Sequence, residues 1–242
     1  MKICVAQVRP VKGDIQKNIE GHKKLIDLAV SNYVDTIIFP ELSLTGYEPA
    51  LANELSLEVN DKRLQDFQKI SDSKKIIIGV GVPLKSASGT CIAMILFRPA
   101  AERQTYIKRY LHADEEAFFV SGQGSVDSIG KDPKIAFAIC YELSIADHSQ
   151  KAFDKGAKIY IASVAKSAAG VEKASKTLSE IAAKYSMIVL MSNCVGYCDN
   201  FEAGGNSAAW NNNGILTGQM NNSDEGIIVL DTDTGQVFEK II

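Results

Sequence analysis

Three residues able to do covalent chemistry together each follow a short strand-like run in this 242-residue chain. Glu41 follows TIIFP, Lys108 follows RQTYI and Cys140 follows IAFAI. A carboxylate, an ammonium and a thiol are the parts needed for thiol attack on a carbonyl or nitrile carbon. The carboxylate takes the thiol proton, the ammonium favours the thiolate, and the sulfur is the nucleophile. A thiol of pKa ~8.5 is mostly protonated at neutral pH and needs such neighbours. Each residue alone also has a plainer role. Glu41 can cap the turn after it. Lys108 lies in YIKRYLHADEE, a mixed-charge run of the kind that forms solvated surface. Cys140 ends FAIC, where it can pack as a small apolar residue.

The elements around these residues decide whether they can meet. KICVAQV (2–8) reads as a strand, and residues 14–31 carry apolar positions at helical spacing behind Asp14 as N-cap. DTIIF (35–39) is a strand stopped by Pro40. Residues 61–72 read as a helix and KKIIIGVGV (74–82) as a strand. TCIAMILFRP and ERQTYIKRY form a β-pair turning through PAAER. The second half repeats this order: KIAFAIC (134–140) as strand, 145–155 as helix, AKIYIAS (157–163) as strand, 171–185 as helix and MIVLMSN (187–193) as strand. NSAAWN and EGIIVLDTD are two further β runs. Near-continuous apolar strands alternating with helices imply sheets covered by helices. The fold class is α/β. The trailing β runs favour two mixed sheets face to face, each half extending its own sheet, with helices outside. In α/β sheets ligands sit beyond the carboxyl ends of strands, where Glu41, Cys140 and Ser163 all fall.

Composition excludes several other classes. Hydrophobic residues make up 46% of the chain, enough for a sizeable core, and no linker divides residues 1–242, which read as one domain. Net charge is -3, without a Lys/Arg stripe, so nucleic acid is not an expected partner. No apolar run approaches the ~20 residues of a membrane span, and the N-terminus carries no signal-peptide pattern. The five cysteines are sparse and odd in number, which argues against a disulfide framework. Cys194 and Cys198 are four apart, but no second Cys/His pair follows, and the histidines are scattered, so no metal site is expected. A cytoplasmic, metal-free protein is the default.

FPELSLTGY, YIKRYL and AICYE, in this order, resemble the nitrilase superfamily, the carbon–nitrogen hydrolases. The likeness runs from the AQ of CVAQV to GGNS near residue 207. It implies a four-layer α-β-β-α sandwich and puts the family's Glu–Lys–Cys triad on Glu41, Lys108 and Cys140. A second family glutamate falls in ADEEAFFVSG, on Glu115, with Glu116 as rival. The resemblance further implies a cysteine-dependent hydrolase of non-peptide C–N bonds, without cofactor, working as a homodimer through a thioester. AICYE looks closer to the amidase-like branches, which points to a small linear amide or N-carbamoyl compound. Nitrile hydrolysis, acyl transfer to an amine, and a silent ligand-binding subunit are the alternatives. The backbone N–H of Tyr141, beside the nucleophile, and Lys108 are the expected oxyanion donors.

Weaker candidates surround this set. Tyr47, Phe118 and Phe119 are aromatics placed to line a pocket or simply to pack. Ser163, Val164 and Lys166 belong to a segment that borders the substrate in the family, and Lys166 is its only charge. His148, eight residues past Cys140, is the rival base. Trp210 and NNNG read as a strand end and a tight turn. The chain departs from common family patterns at Glu142-Leu143-Ser144-Ile145, where an arginine is usual nearby, and at NCVG, where Cys194 replaces one. A carboxylate-binding arginine is therefore not carried over. No fused synthetase or long C-terminal arm is expected from the sequence.

Overall fold

The computed structural model describes residues 1–122, 128–130 and 133–242. The first half begins with β1 (Lys2–Gln7) and α1 (Ile15–Ser31). Asp14 caps α1 by accepting from the Lys17 N–H at 3.0 Å. Ile15, Ile19, His22, Leu25, Ile26 and Ala29 form its buried face. β2 (Thr36–Ile38) follows, then a short α2 (Ala52–Leu55) and α3 (Gln65–Lys74). A 3₁₀ turn over Lys62–Leu64 opens the segment that the periodicity assigns to one helix. β3 (Ile77–Ser86), β4 (Gly89–Phe97) and β5 (Gln104–Ile107) complete the half. β1, β2 and β3 are parallel, and β3, β4 and β5 antiparallel.

The second half contains β6 (Ser128–Ile129), β7 (Ile135–Ile139), α4 (Ala146–Asp154), β8 (Ile159–Ser163), α5 (Ala168–Tyr185) and β9 (Ile188–Ser192). β7, β8 and β9 are parallel. A hairpin of β10 (Val195–Cys198) and β11 (Phe201–Gly204) follows, then β12 (Ala208–Trp210) and β13 (Leu216–Gln219), which extend this sheet in the order β13-β12-β9-β8-β7-β6.

The last two strands break the expected pattern. EGIIVLDTD forms β14 (Gly226–Asp231), which returns to the first sheet and pairs antiparallel with β1, with β15 (Val237–Ile241) outside it. The first sheet is therefore β15-β14-β1-β2-β3-β4-β5. Burial explains the crossing. β14 is apolar on both faces, with Ile227 and Val229 on one and Ile228 and Leu230 on the other, all buried. The open edge of β1 offers a buried place for both faces. The second sheet already ends in β13, which is largely exposed.

Side-chain alternation divides the core into three layers. Ile3, Val5, Ile38 and Met94 meet Phe137, Ile139, Ile161 and Leu190 between the sheets. Cys4, Ala6, Ile37 and Val80 turn the other way, against Leu25, Ile26 and Phe67 of the helices. Ala136, Ala138, Tyr160 and Val189 pack on Val171, Leu178 and Ile181 of α5. Helix, sheet, sheet and helix make the four-layer sandwich.

Gly81 of β3 supports the loop after β2. A Cβ there would stand 2.2 Å from Pro40 O and 2.6 Å from Leu42 N, on either side of Glu41. Gly81→Ala is expected to destabilise the protein by about 1–3 kcal/mol, as overpacking does. Chemical denaturation measures this, and an unchanged midpoint would show that the loop yields freely.

Candidate active site

Each candidate side chain is delivered by a strand end. Pro40 has no N–H to continue the β2 ladder, and the chain turns, with Leu42 at φ +50°. Leu44 N–H bonds to Gly81 O at 3.1 Å and fixes the loop. Glu41 is left buried between the sheets. Lys108 continues β5, its N–H on Ile92 O at 2.9 Å, and its side chain is wholly buried. Its Nζ donates to Glu41 Oε1 and to Glu115 Oε1, each at 2.7 Å. The sandwich thus holds one ammonium between two carboxylates.

Of the two adjacent glutamates, Glu115 is buried and Glu116 exposed. Glu115 Oε1 also accepts from the Tyr47 hydroxyl at 3.1 Å, and Oε2 accepts from the His112 N–H at 2.8 Å. Glu115, not Glu116, meets Lys108.

Cys140 closes β7 and opens a 3₁₀ turn, Cys140–Ser144. Its φ is +44°, a left-handed conformation that side chains with a Cβ adopt at a cost. Glu142 holds this elbow. Its Oε2 accepts from Ile139 N–H at 2.8 Å and from the Tyr106 hydroxyl at 2.6 Å, and its Oε1 accepts from Arg109 N–H at 2.7 Å. One buried carboxylate therefore ties the residue before the thiol to the residue after Lys108. Sequence reasoning assigned Glu142 no role. The signal available was a charged residue two positions past a strand-end cysteine. Tyr141 N–H lies in the first turn of the 3₁₀ segment, where helix N–H groups lack a partner in their own helix.

Cys140 is half-buried at the foot of a cavity of about 580 Å³. Tyr47, Glu115, Phe118, Tyr141 and Lys166 line it, together with Phe201 of the β10–β11 hairpin. That hairpin has no clear alternation in sequence, because Tyr197 and Glu202 are exposed within it, and the strand reading omitted it. Phe119 turns away into the layer between the sheets.

Ser163 and Val164 do not line the cavity. Ser163 Oγ donates to Phe39 O at 2.8 Å across the sheets, and Val164 packs toward α5. Alternation buries the two on opposite faces of the sheet, and the cavity wall starts at Ala165. His148 is likewise placed elsewhere. Its ring bonds to the hydroxyls of Tyr106 at 2.8 Å and Tyr160 at 2.9 Å, near Glu142, so it belongs to the support behind the elbow. Trp210 ends β12, and the following turn is closed by Asn211 Oδ1, which accepts from Asn213 and Ile215 N–H.

Electrostatics sets the resting protonation. Burial raises the Glu41 pKa and the Glu115 charge adds to it, while Lys108 and the nearby Cys140 thiol oppose the rise. Glu41 Oε2 has no conventional hydrogen bond. Burial on its own would lower the Lys108 pKa, but Glu41, Cys140 and Glu115 together raise it. Burial and the Glu41 charge push the Cys140 thiol up to about 11, against Lys166 and Lys108. The sulfur therefore rests as a thiol. Lys108 favours the thiolate without making it the ground state. Burial also raises the Tyr47 pKa, and the Glu41 and Glu115 charges add to the rise, so its hydroxyl stays a donor.

Among the described residues no cluster of three or more His, Cys, Asp or Glu is arranged to hold a metal ion. Cys194 and Cys198 face each other as free thiols, sulfurs 3.5 Å apart. No described helix is long and apolar enough to cross a membrane.

The sequence profile of the carbon–nitrogen hydrolases matches residues 2–239. Among curated relatives, the glutamine-dependent NAD(+) synthetase of Synechocystis sp. is 26% identical over 256 residues, covering 96% of this chain and 46% of that one. The chain spans about half the length of such synthetases. The hydrolase in the agr operon of Staphylococcus aureus is 24% identical over 249 residues, covering 99% of this chain and 94% of that one. Among solved structures, a mutant amidase from Nesterenkonia sp. AN1 in complex with butyramide superposes with a TM-score of 0.87 at 18% identity, covering 97% and 92% of the two chains. Another mutant of that amidase, with the acetamide moiety of fluoroacetamide added covalently at its active-site cysteine, gives 0.86 at 19% identity, covering 96% and 90%. With the profile matching almost end to end, this chain belongs to the carbon–nitrogen hydrolase family.

Proposed function

We propose that this enzyme hydrolyses a small linear amide or N-carbamoyl compound through a thioester on Cys140. The observation that carries this reading is the buried Lys108 ammonium, 2.7 Å from both Glu41 and Glu115, beside a half-buried thiol at the foot of a cavity. Because the thiol rests protonated, its proton passes to Glu41 as the sulfur attacks the substrate carbonyl. The raised Glu41 pKa makes that carboxylate a better acceptor than an ordinary glutamate. Lys108 uses two of its three N–H donors on carboxylates, which leaves one for the developing oxyanion. The Tyr141 N–H is the second donor, and one such donor is typically worth about 3 kcal/mol. Glu41 then returns the proton to the leaving amine, and the C–N bond breaks to leave the thioester. A water then attacks the thioester carbon as it gives a proton to Glu41; the C–S bond breaks, the acid leaves, and Glu41 returns that proton to sulfur to restore the thiol. Glu115 is a positioning residue that keeps Lys108 in place, steadied by Tyr47 and the His112 N–H.

Cys140→Ala is expected to abolish ammonia release from amides. Glu41→Gln, which keeps the shape and removes the base, is expected to lower kcat by about 10²–10⁴-fold. Turnover surviving in Cys140→Ala, or a kcat for Glu41→Gln within about tenfold of the wild type, would refute the mechanism. Alkylation of Cys140 by iodoacetamide is expected to accelerate with pH toward the thiol pKa of about 11. A rate already level at neutral pH would show a resting thiolate instead.

A further inference from the structure

The wall after β8 carries a cation that this chemistry does not use. Lys166 lines the cavity beside Cys140 and Tyr141. Its backbone is fixed on both sides by buried Asn193. The Lys166 N–H donates to Asn193 Oδ1 at 2.9 Å, and its carbonyl accepts from Asn193 Nδ2 at 3.1 Å and from Gly204 N–H at 2.8 Å. The stem packs on the first turn of α5, where a Cβ at Gly170 would lie 3.3 Å from Lys166 Cβ. The side chain is half-buried, and Nζ makes no hydrogen bond or ion pair among the described residues. Its charge reaches the reacting sulfur and lowers the Cys140 pKa more than Lys108 does.

Two of the three carboxylates of the same cavity are engaged elsewhere. Glu115 is taken by Lys108, Tyr47 and His112. Asp114 pairs with His112 Nδ1 at 2.6 Å. Asp199 is exposed and forms no ion pair with Lys166 among the described residues. A substrate filling the cavity strips water from the Lys166 ammonium. That loss is offset only if the substrate brings an anion to it.

We propose that Lys166 binds a carboxylate of the substrate, so that the preferred amide is anionic, with its carboxylate a few bonds from the scissile carbonyl. This rests on the amide-hydrolase reading and names the substrate class for it.

The test compares succinamate with butyramide, whose terminal methyl the carboxylate replaces, in the wild type, Lys166→Met and Lys166→Arg. The wild type is expected to have the higher kcat/KM on succinamate. Lys166→Met is expected to lower that value by about 10- to 100-fold more than it lowers the value for butyramide, chiefly through KM. Lys166→Arg keeps the charge and is expected to retain most of the preference. Calorimetry on Cys140→Ala should show succinamate binding that Lys166→Met removes. An equal fall on both amides would mean that Lys166 serves the sulfur or the oxyanion, and would overturn the proposal. Wild-type turnover of butyramide with rejection of both succinamate and N-carbamoyl-β-alanine would overturn it too, and leave the amide-hydrolase reading standing. Turnover of none of the three would remove that reading and this proposal with it. N-carbamoyl-β-alanine, whose carboxylate departs with the amine, locates the subsite. Faster turnover of succinamate puts Lys166 on the acyl side and faster turnover of the carbamoyl compound on the leaving side, each supporting a carboxylate subsite if Lys166→Met abolishes it.

Discussion

A lysine with no exposure to water sits between two buried carboxylates, and the rest of the site follows from that arrangement. Taking an ammonium out of water costs several kcal/mol unless close partners compensate. Glu41 and Glu115 compensate it, but two carboxylates for one cation leave excess negative charge. Burial raises the Glu41 pKa despite Lys108, and burial together with the Glu41 charge keeps Cys140 protonated. The cluster therefore stores a proton on sulfur and an acceptor beside it. It also binds the architecture, because Glu41 hangs from β2, Lys108 from β5 and Glu115 from the loop after β5.

A second network holds Cys140 from behind. Glu142 joins Ile139, Tyr106 and Arg109, with His148 and Tyr160 next to it. The left-handed backbone of Cys140 is sustained by these bonds, since nothing in the residue itself favours φ +44°. Front and back networks meet at adjacent residues, for Lys108 belongs to one and the Arg109 N–H to the other.

Much of this was legible in the sequence, and the reasons are physical. Parallel strands buried on both faces produce continuous apolar runs, so β1, β7, β8 and β9 stood out, and strand-end polar residues pointed to Glu41, Lys108 and Cys140. Asp14 was readable as a cap because its role is local. Choices that depend on distant packing were not readable. β14 looks the same whether it joins its own sheet or returns to β1. Glu115 and Glu116 differ only in which one the turn points inward. Ser163 and Val164 read as bordering the cavity, yet alternation buries them on opposite faces of the sheet. Glu142 was passed over because its partners lie on three separate elements.

The central claim is that the C–N bond is broken by transfer of the acyl group to Cys140. Its most direct test is rapid-quench mass spectrometry of the enzyme during turnover of an amide. The account predicts an acyl adduct that maps to the Cys140 peptide and is released by hydroxylamine, as a thioester is. Steady turnover with no adduct at any quench time, or an adduct on another residue, would contradict it.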